Sequence, residues 1–179
     1  MMDCGAKPDK HNRGPDLYQP ARRNVIVPNG RVVHLPSRME EMPVSSFEAE
    51  SQIQQIAEAY SLDMIDYAKQ IGVELDWSDE SIQNVEDIAE ALHAAYRKDH
   101  PTPEQTEPIY KMIGSYIGEV FRRNHRAEWG WVTLEGSRFP GMKVKADTLF
   151  WPWGRAQNRI IKGSEDNLWH YYQYLLEGR

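Results

Sequence analysis

Three groups of side chains in this sequence have the type and spacing that chemistry uses. The first is a run of carboxylates: between Gln70 and Tyr96 there is no lysine or arginine, while Glu74, Asp76, Asp79, Glu80, Glu86, Asp87 and Glu90 all fall there. Clustered oxygen ligands suit a hard cation. Left in solvent, the same charges repel nucleic acid and attract basic partners. Asp76, Asp79 and Glu80 match no calcium-loop spacing and have no glycine at the turn such a loop requires, which favours a solvated helix start over a metal site. The second group centres on Glu119, in Gly114-Ser115-Tyr116-Ile117-Gly118-Glu119, with Arg122, Arg123, Asn124 and His125 following. Burial at the edge of an apolar helix face would raise its pKa and suit it to general-base work. The plainer role is a carboxylate satisfied by backbone N–H groups or an arginine, fixing one packing of the core. The third group is Trp129, Trp131, Trp151 and Trp153, four of the six tryptophans. Indoles suit both cores and binding surfaces. Alternation along a strand turns Trp129 and Trp131 the same way, and Trp151 and Trp153, beside Pro152 and Gly154, are candidate exposed anchors for a protein partner.

Other chemistry has little support. His11, His34, His93, His100, His125 and His170 show no metal spacing such as HExxH, and there is neither a glycine-rich phosphate loop nor a GxSxG elbow. No cofactor or metal is expected, and an enzyme is disfavoured. Cys4 is the single cysteine, so no intrachain disulfide can form and a surface thiol is expected. No run approaches the roughly 18 apolar residues of a spanning helix, and Met1-Met2-Asp3-Cys4-Gly5 lacks a signal peptide's apolar core, so a cytoplasmic location is expected. The net charge of -6 is unevenly spread: residues 1–43 carry seven basic and five acidic side chains, which leaves the remainder at -8.

These groups must be held by elements that the pattern of residues predicts. A chain of 179 residues fits one core with an appendage. Residues 1–24, with Pro8, Pro15 and Pro20 and no apolar period, read as a mobile arm. Residues 25–43 read as a β-hairpin and connector: Val25-Ile26-Val27 and Val32-Val33 flank Asn29-Gly30, the pair favoured in a type I′ turn. Pro28 places the first strand at an edge, and a lone hairpin is marginal, so it should dock on the main body or on another subunit. From residue 44 to 179 a single α+β domain is expected, with helices packed on one face of a small antiparallel sheet. Its first helix opens at Ser45 and Glu48, a capping-box spacing, and ends at Gly72. Ser78 caps a second, which ends at His100-Pro101. Thr102, Pro103 and Gln105 start a third, whose apolar face carries Ile109, Ile113, Tyr116, Val120 and Phe121. Within it Gly114 and Gly118 each lose about 1 kcal/mol against alanine, which implies a close neighbour on that side. Strands follow at Trp129 to Leu134 and from Met142 to Phe150, then a short helix from Arg155 to Lys162 and a last one opened by Ser164.

Leu75-Asp76-Trp77-Ser78 with Ser81-Ile82, the helix Gly114 to Val120 with Trp129, and Gly163-Ser164-Glu165-Asp166-Asn167-Leu168 resemble a small bacterial domain of unknown function. Its recurring features are LDxSxxSL, GxYxGE and NGxEDSL motifs, and the likeness covers residues 73–176. Lys162-Gly163 stands where the motif has Asn-Gly, and Ile82 where it has leucine. Some members resemble immunity proteins encoded beside antibacterial toxins. The resemblance implies a non-enzymatic protein that occludes a toxin, for which the acidic surface would steer a basic partner such as a nuclease. The partner-binding residues expected are Glu74, Asp76, Asp79, Glu80, Glu86, Asp87, Trp151 and Trp153. The alternative is a small-ligand domain or enzyme using Glu119 and the tryptophans; an oligomer formed through the hairpin at 25–35 is a third reading.

Overall fold

The computed structural model describes residues 24–26, 32–34, 45–144 and 148–177. Strands β1 (Asn24–Ile26), β2 (Val32–His34) and β3 (Ser46–Ala49) precede helices α1 (Ser51–Gln70), α2 (Ser81–Asp99) and α3 (Pro103–His125). Strands β4 (Glu128–Leu134), β5 (Ser137–Lys143) and β6 (Leu149–Phe150) follow, then α4 (Pro152–Lys162), a 3-10 turn at Ser164–Asp166 and α5 (Leu168–Glu177). The strands form one sheet in the order β2-β1-β6-β5-β4-β3. All neighbours are antiparallel except β1 and β6, so the fold is α+β as the residue pattern predicts.

The hairpin strands are present, and β1 docks on the main body through β6. The edge strand is β2, not β1 as Pro28 suggested, because β1 stops at Ile26, before the proline. Ile26 pairs with Val32, one residue out of frame for a two-residue Asn29-Gly30 turn. That turn, the arm before residue 24 and the connector after His34 lie outside the described residues.

The first-helix start is corrected. Ser46–Ala49 is a strand, paired Phe47 to Val132 and Glu48 to Trp131 along β4, and α1 begins at Ser51 with Glu50 accepting from Gln52 N–H at 3.1 Å. Ser45 and Glu48 have capping-box spacing, but strand β4 offers an edge there, and a ladder satisfies more backbone groups than one box. The Thr102 start is as expected, with a reciprocal box to Gln105 and Pro103 in the first turn. Three later boundaries shift. Strand β5 starts at Ser137, directly after the Glu135-Gly136 turn, and β6 is separate; α4 starts at Pro152, so Trp151-Pro152-Trp153-Gly154 is a strand end and helix start rather than a loop. Helix α5 is opened by Asn167, whose Oδ1 accepts from His170 N–H at 2.8 Å, and not by Ser164.

Helix α3 is the centre of the core. Its residues from Ile113 to Phe121 are all buried, so it is enclosed rather than one-sided over that stretch. The two glycines make the enclosure possible. A Cβ on Gly114 would stand 2.6 Å from Pro152 O and 2.7 Å from Trp153 Cα; on Gly118 it would stand 2.2 Å from the Trp129 indole. Helix α4 and strand β4 thus supply the close neighbours that the glycines implied. Trp129, Met142 and Phe150 face this core, while Val132, Leu149 and Trp151 pack with Phe47 and Leu134 on the other face of the sheet.

Gly114→Ala tests the closest approach. Alanine is the better helix former by about 1 kcal/mol, but the methyl meets backbone atoms that cannot rotate away, and overpacking typically costs about 1–3 kcal/mol. The variant should be less stable by about 1–2 kcal/mol and melt several degrees lower. A raised Tm in thermal unfolding would show that α3 and α4 are not in this contact.

Candidate functional site

The loop between α1 and α2 carries the exposed carboxylates. Its shape is set by one buried hydroxyl. Trp77 N–H donates to the Tyr116 hydroxyl at 3.0 Å, that oxygen lies 2.7 Å from Ser81 Oγ, and Ser81 Oγ–H donates to Ser78 O at 2.6 Å. One arrangement serves every donor: Trp77 N–H to Tyr116, Tyr116 O–H to Ser81, Ser81 O–H to Ser78. Burial pushes the Tyr116 phenol above its ordinary pKa of 10.0, although its bonds with Ser81 and Trp77 oppose the shift, so it stays a donor. Ser78 Oγ accepts from Ser81 N–H at 3.1 Å, the capping role read from the sequence, although regular helix begins only at Ser81.

Trp77 is the unusual member. Its φ of 66° lies in the left-handed region, which a bulky side chain rarely occupies. Contacts hold it there. Its ring stacks on Tyr116 with centroids 5.0 Å apart, the Arg123 guanidinium lies 3.5 Å from its centroid, and its carbonyl accepts from Asn124 Nδ2 at 3.0 Å. Asp76 accepts from both Ser78 N–H and Ser78 Oγ–H, and those bonds lower its carboxyl below 3.8.

The expected site residues divide into two sets. Glu74, Asp76 and Glu80 are exposed and, with Ser78, Ser81, Gln83 and Asn84, line a shallow open depression of about 370 Å³. Asp87 is exposed one helical turn beyond Gln83. Asp79 and Glu86 are turned to structural use. Asp79 accepts from the Tyr172 hydroxyl at 2.6 Å, from Asn124 at 2.9 Å and from His125 Nε2 at 2.8 Å. Glu86 joins α2 to two other helices, bonding Arg159 Nε at 2.9 Å and Leu168 N–H at 2.7 Å. Arg159 itself is 1% exposed and also reaches Glu90. Among the described residues no three His, Cys, Asp or Glu side chains converge as a metal site would need.

The tryptophans are corrected too. Trp151 is 3% exposed on the second face of the sheet and cannot serve as a surface anchor. It is the last residue before α4, and the Pro152 helix start folds it onto Val132 and Leu149 rather than out into a loop. Trp153 is half-buried, its N–H donating to Ser115 Oγ at 2.7 Å and its ring 5.6 Å from Trp129.

Glu119 is fully buried and accepts three hydrogen bonds. Arg122 donates to its two oxygens at 2.9 and 2.8 Å, and the Trp129 indole N–H donates at 2.9 Å. This is the carboxylate satisfied by an arginine, and at 0% exposure it presents no oxygen to solvent. Sequence reasoning missed Trp77, Tyr116, Asn124 and His125 as parts of one assembly. The one signal that could have found them is the helical spacing of Tyr116 to Arg123, seven residues or about two turns, which puts both on one side of α3.

Two outcomes follow from these bonds. Glu119→Gln keeps Oε1 as acceptor for Trp129 and Arg122 Nε but removes the second Arg122 bond and leaves Glu58, 3.2 Å away, as the carboxylate paired with Arg122, so about 2–3 kcal/mol of stability should be lost in urea unfolding. Unchanged stability would remove the ion pair from the list of core supports. Asp79 sets an acid response. Burial alone would raise its carboxyl, but bonds from Tyr172, Asn124 and His125, together with the charge of His125, hold it below 3.8. A carboxyl lowered in the folded state stabilises above its unfolded pKa and loses that contribution as pH falls through the folded value. Stability should therefore drop below about pH 4, and Asp79→Asn should be weaker at neutral pH with a flatter acid limb; an unaltered limb would exclude Asp79 as its source.

The sequence matches no protein-family model and no curated protein. The fold is similar to that of a crystal structure from Bacteroides thetaiotaomicron VPI-5482 determined at 1.50 Å, with a TM-score of 0.56 and 10% sequence identity. The likeness covers 84% of this chain and 53% of that one, so the chain spans about half the length of its structural neighbour.

Proposed function

We propose that this protein is a non-enzymatic binding protein whose acidic face occludes a basic partner, in the manner of an immunity protein neutralising its cognate antibacterial toxin. The observation that carries the reading is the separation of the carboxylates. Asp79, Glu86 and Glu119 are bonded inward, whereas Glu74, Asp76 and Glu80 face solvent around one depression at a loop that Tyr116 clamps from below, and Asp87 is exposed further along α2. A fixed, single-sign surface raises the encounter rate with a positive partner and suits occupation of a site built for phosphates. The motif resemblance to toxin-immunity domains supports the same reading, and the half-buried Trp77, between Asp76 and Ser78, supplies aromatic area beside the depression. The alternative that employs Glu119 as a base finds no support in a carboxylate buried from solvent and paired with Arg122.

The test is affinity capture from the organism that encodes the chain, with intact protein and with Glu74→Lys/Asp76→Lys/Glu80→Lys as paired baits. Wild type should retain a basic protein in stoichiometric amount, released as salt shortens the screening length from about 10 Å at 0.1 M to about 3 Å at 1 M. The charge-reversed bait should not retain it, and co-expression should suppress that protein's toxicity. Capture that ignores both salt and charge reversal, or a captured protein whose activity is unaffected, would end the proposal.

A further inference from the structure

We infer that the face of the sheet turned away from the helices is a docking surface whose occupant is this chain's own segment 35–45, which crosses it as a fixed strap from β2 to β3. All five helices pack on the Trp129 side. On the other side Val132, Leu149 and Trp151 are 0%, 4% and 3% exposed, in a cluster to which no described helix contributes. The buried Trp151 indole N–H has no partner among the described residues, and buried donors are normally bonded, so whatever covers this face must bring an acceptor.

Strand order selects the occupant. β2 and β3 are the two edges of the sheet, so segment 35–45 must travel its full width, five strand spacings or about 24 Å. The registers make β2 and β3 run in the same direction and set Ser46 six residue levels beyond His34 along the strands, one from Asn24 to Val25 and five from Glu128 to Thr133, which is about 20 Å. The direct diagonal is then about 31 Å, and the twelve residue steps from His34 to Ser46 reach about 40 Å at full extension. A path along the rim needs about 44 Å, and one over the outside of a helix layer about 10 Å thick needs about 50 Å. Only a crossing in contact with the sheet fits, and the helices already hold one face.

Handedness selects the same face. Trp129 C=O accepts from Glu50 N–H at 3.1 Å, so the peptide groups of Trp129 point toward β3. Viewed from the helices with β4 running upward, L-chirality then sets β3 at the right edge and β2 at the left, both running downward. A left-to-right connection between downward strands is right-handed only if it passes behind the sheet, and connections between parallel strands are right-handed almost without exception. An even division of the diagonal sets Met39 over Leu149 and Trp151, and Met42 beside Val132 and the 37% exposed Phe139. The strap fills this face, which leaves the helices and the acidic loop for a partner.

Crosslinking in the full chain tests the strap. In a Cys4→Ser background, Met42→Cys is combined with Phe139→Cys on the second face or with Leu62→Cys on the 56% exposed position of α1, and a short bismaleimide is added. Loop-closure entropy favours the Leu62 pair, 20 residues apart against 97, so an unfolded chain links it faster. In the folded protein the Phe139 pair should link within one chain and the Leu62 pair should not, an inversion that urea abolishes. Linkage to Leu62, or failure of the Phe139 pair in a variant that melts like wild type, overturns the strap. Linkage between two chains would assign the face to a neighbouring copy's segment and overturn it as well. Independently, Met39→Asp/Met42→Asp should lower the Tm by several degrees and increase acrylamide quenching of tryptophan fluorescence; an unchanged Tm also overturns it.

Discussion

Everything in this fold is arranged around the closeness with which α3 is surrounded. Nine consecutive residues, Ile113 to Phe121, are buried, which a helix can achieve only if each of its sides meets another element. Helix α1 takes one side, α4 rests on Gly114, and the Trp129 indole rests on Gly118. A side chain at either glycine would hold α4 or β4 away and open a gap, and gaps forfeit the dispersion contacts that make a core cohesive. The helix-propensity loss of roughly 1 kcal/mol per glycine is small beside the burial of one large side chain, about 1.5–3 kcal/mol. On those magnitudes, packing wins.

Enclosure creates a second demand, because an enclosed helix brings its polar groups into a poor solvent. Ser115, Tyr116 and Glu119 lie in the buried stretch, and each is matched: Ser115 by the Trp153 indole, Tyr116 by Trp77 and Ser81, Glu119 by Arg122 and Trp129. These bonds do more than avoid a desolvation penalty. Each joins α3 to a segment distant in sequence or fixes its C-terminal turn, so satisfying α3 specifies where α4, β4 and the acidic loop must sit. Arg159 does the same between α4 and α2, and Glu86 carries the link on to the start of α5. The short motifs noticed in the sequence are largely these residues. Their structural work accounts for Leu75, Ser78, Gly114, Tyr116, Gly118, Glu119, Asp166 and Leu168 without any ligand.

How much of this was legible depended on range. Local signals read well: the Thr102 box and Pro103, the left-handed turn through Gly72 after α1, the alternation of Trp129 against Val132, and the stop at Gly163. The α+β class followed from their order. Signals failed where a distant partner outbid a local one. Ser45 and Glu48 have the spacing of a helix start, but β4 recruits Ser46–Ala49 as a strand. The Trp151-Pro152-Trp153-Gly154 run has the composition of a loop, yet Pro152 starts a helix that the bare face of Gly114 accepts. At the candidate site the acidic field was plain from composition, but its division was not. Nothing local distinguishes Asp76 from Asp79; only the convergence of Tyr172, Asn124 and His125 on the latter does, from up to 93 positions away. The left-handed Trp77 was equally hidden, since its conformation is fixed by Tyr116, Arg123 and Asn124 rather than by its neighbours.

The division of the carboxylates bears on what the exposed ones are for. Surface charges of one sign repel one another, and in solvent such repulsion costs a few tenths of a kcal/mol per close pair. Glu74, Glu80 and Asp87 are exposed, and of these Glu80, at the N-terminus of α2, returns about 0.3–1 kcal/mol to folding through the helix dipole. The loop beneath them, by contrast, is held in a strained conformation, with a tryptophan at φ 66° and its backbone N–H and C=O both bonded to α3. Strain held in place by surrounding contacts is a feature that structures concentrate at sites of recognition. On the proposed reading, that rigid support limits the entropy lost on association, and the exposed charges act before contact is made.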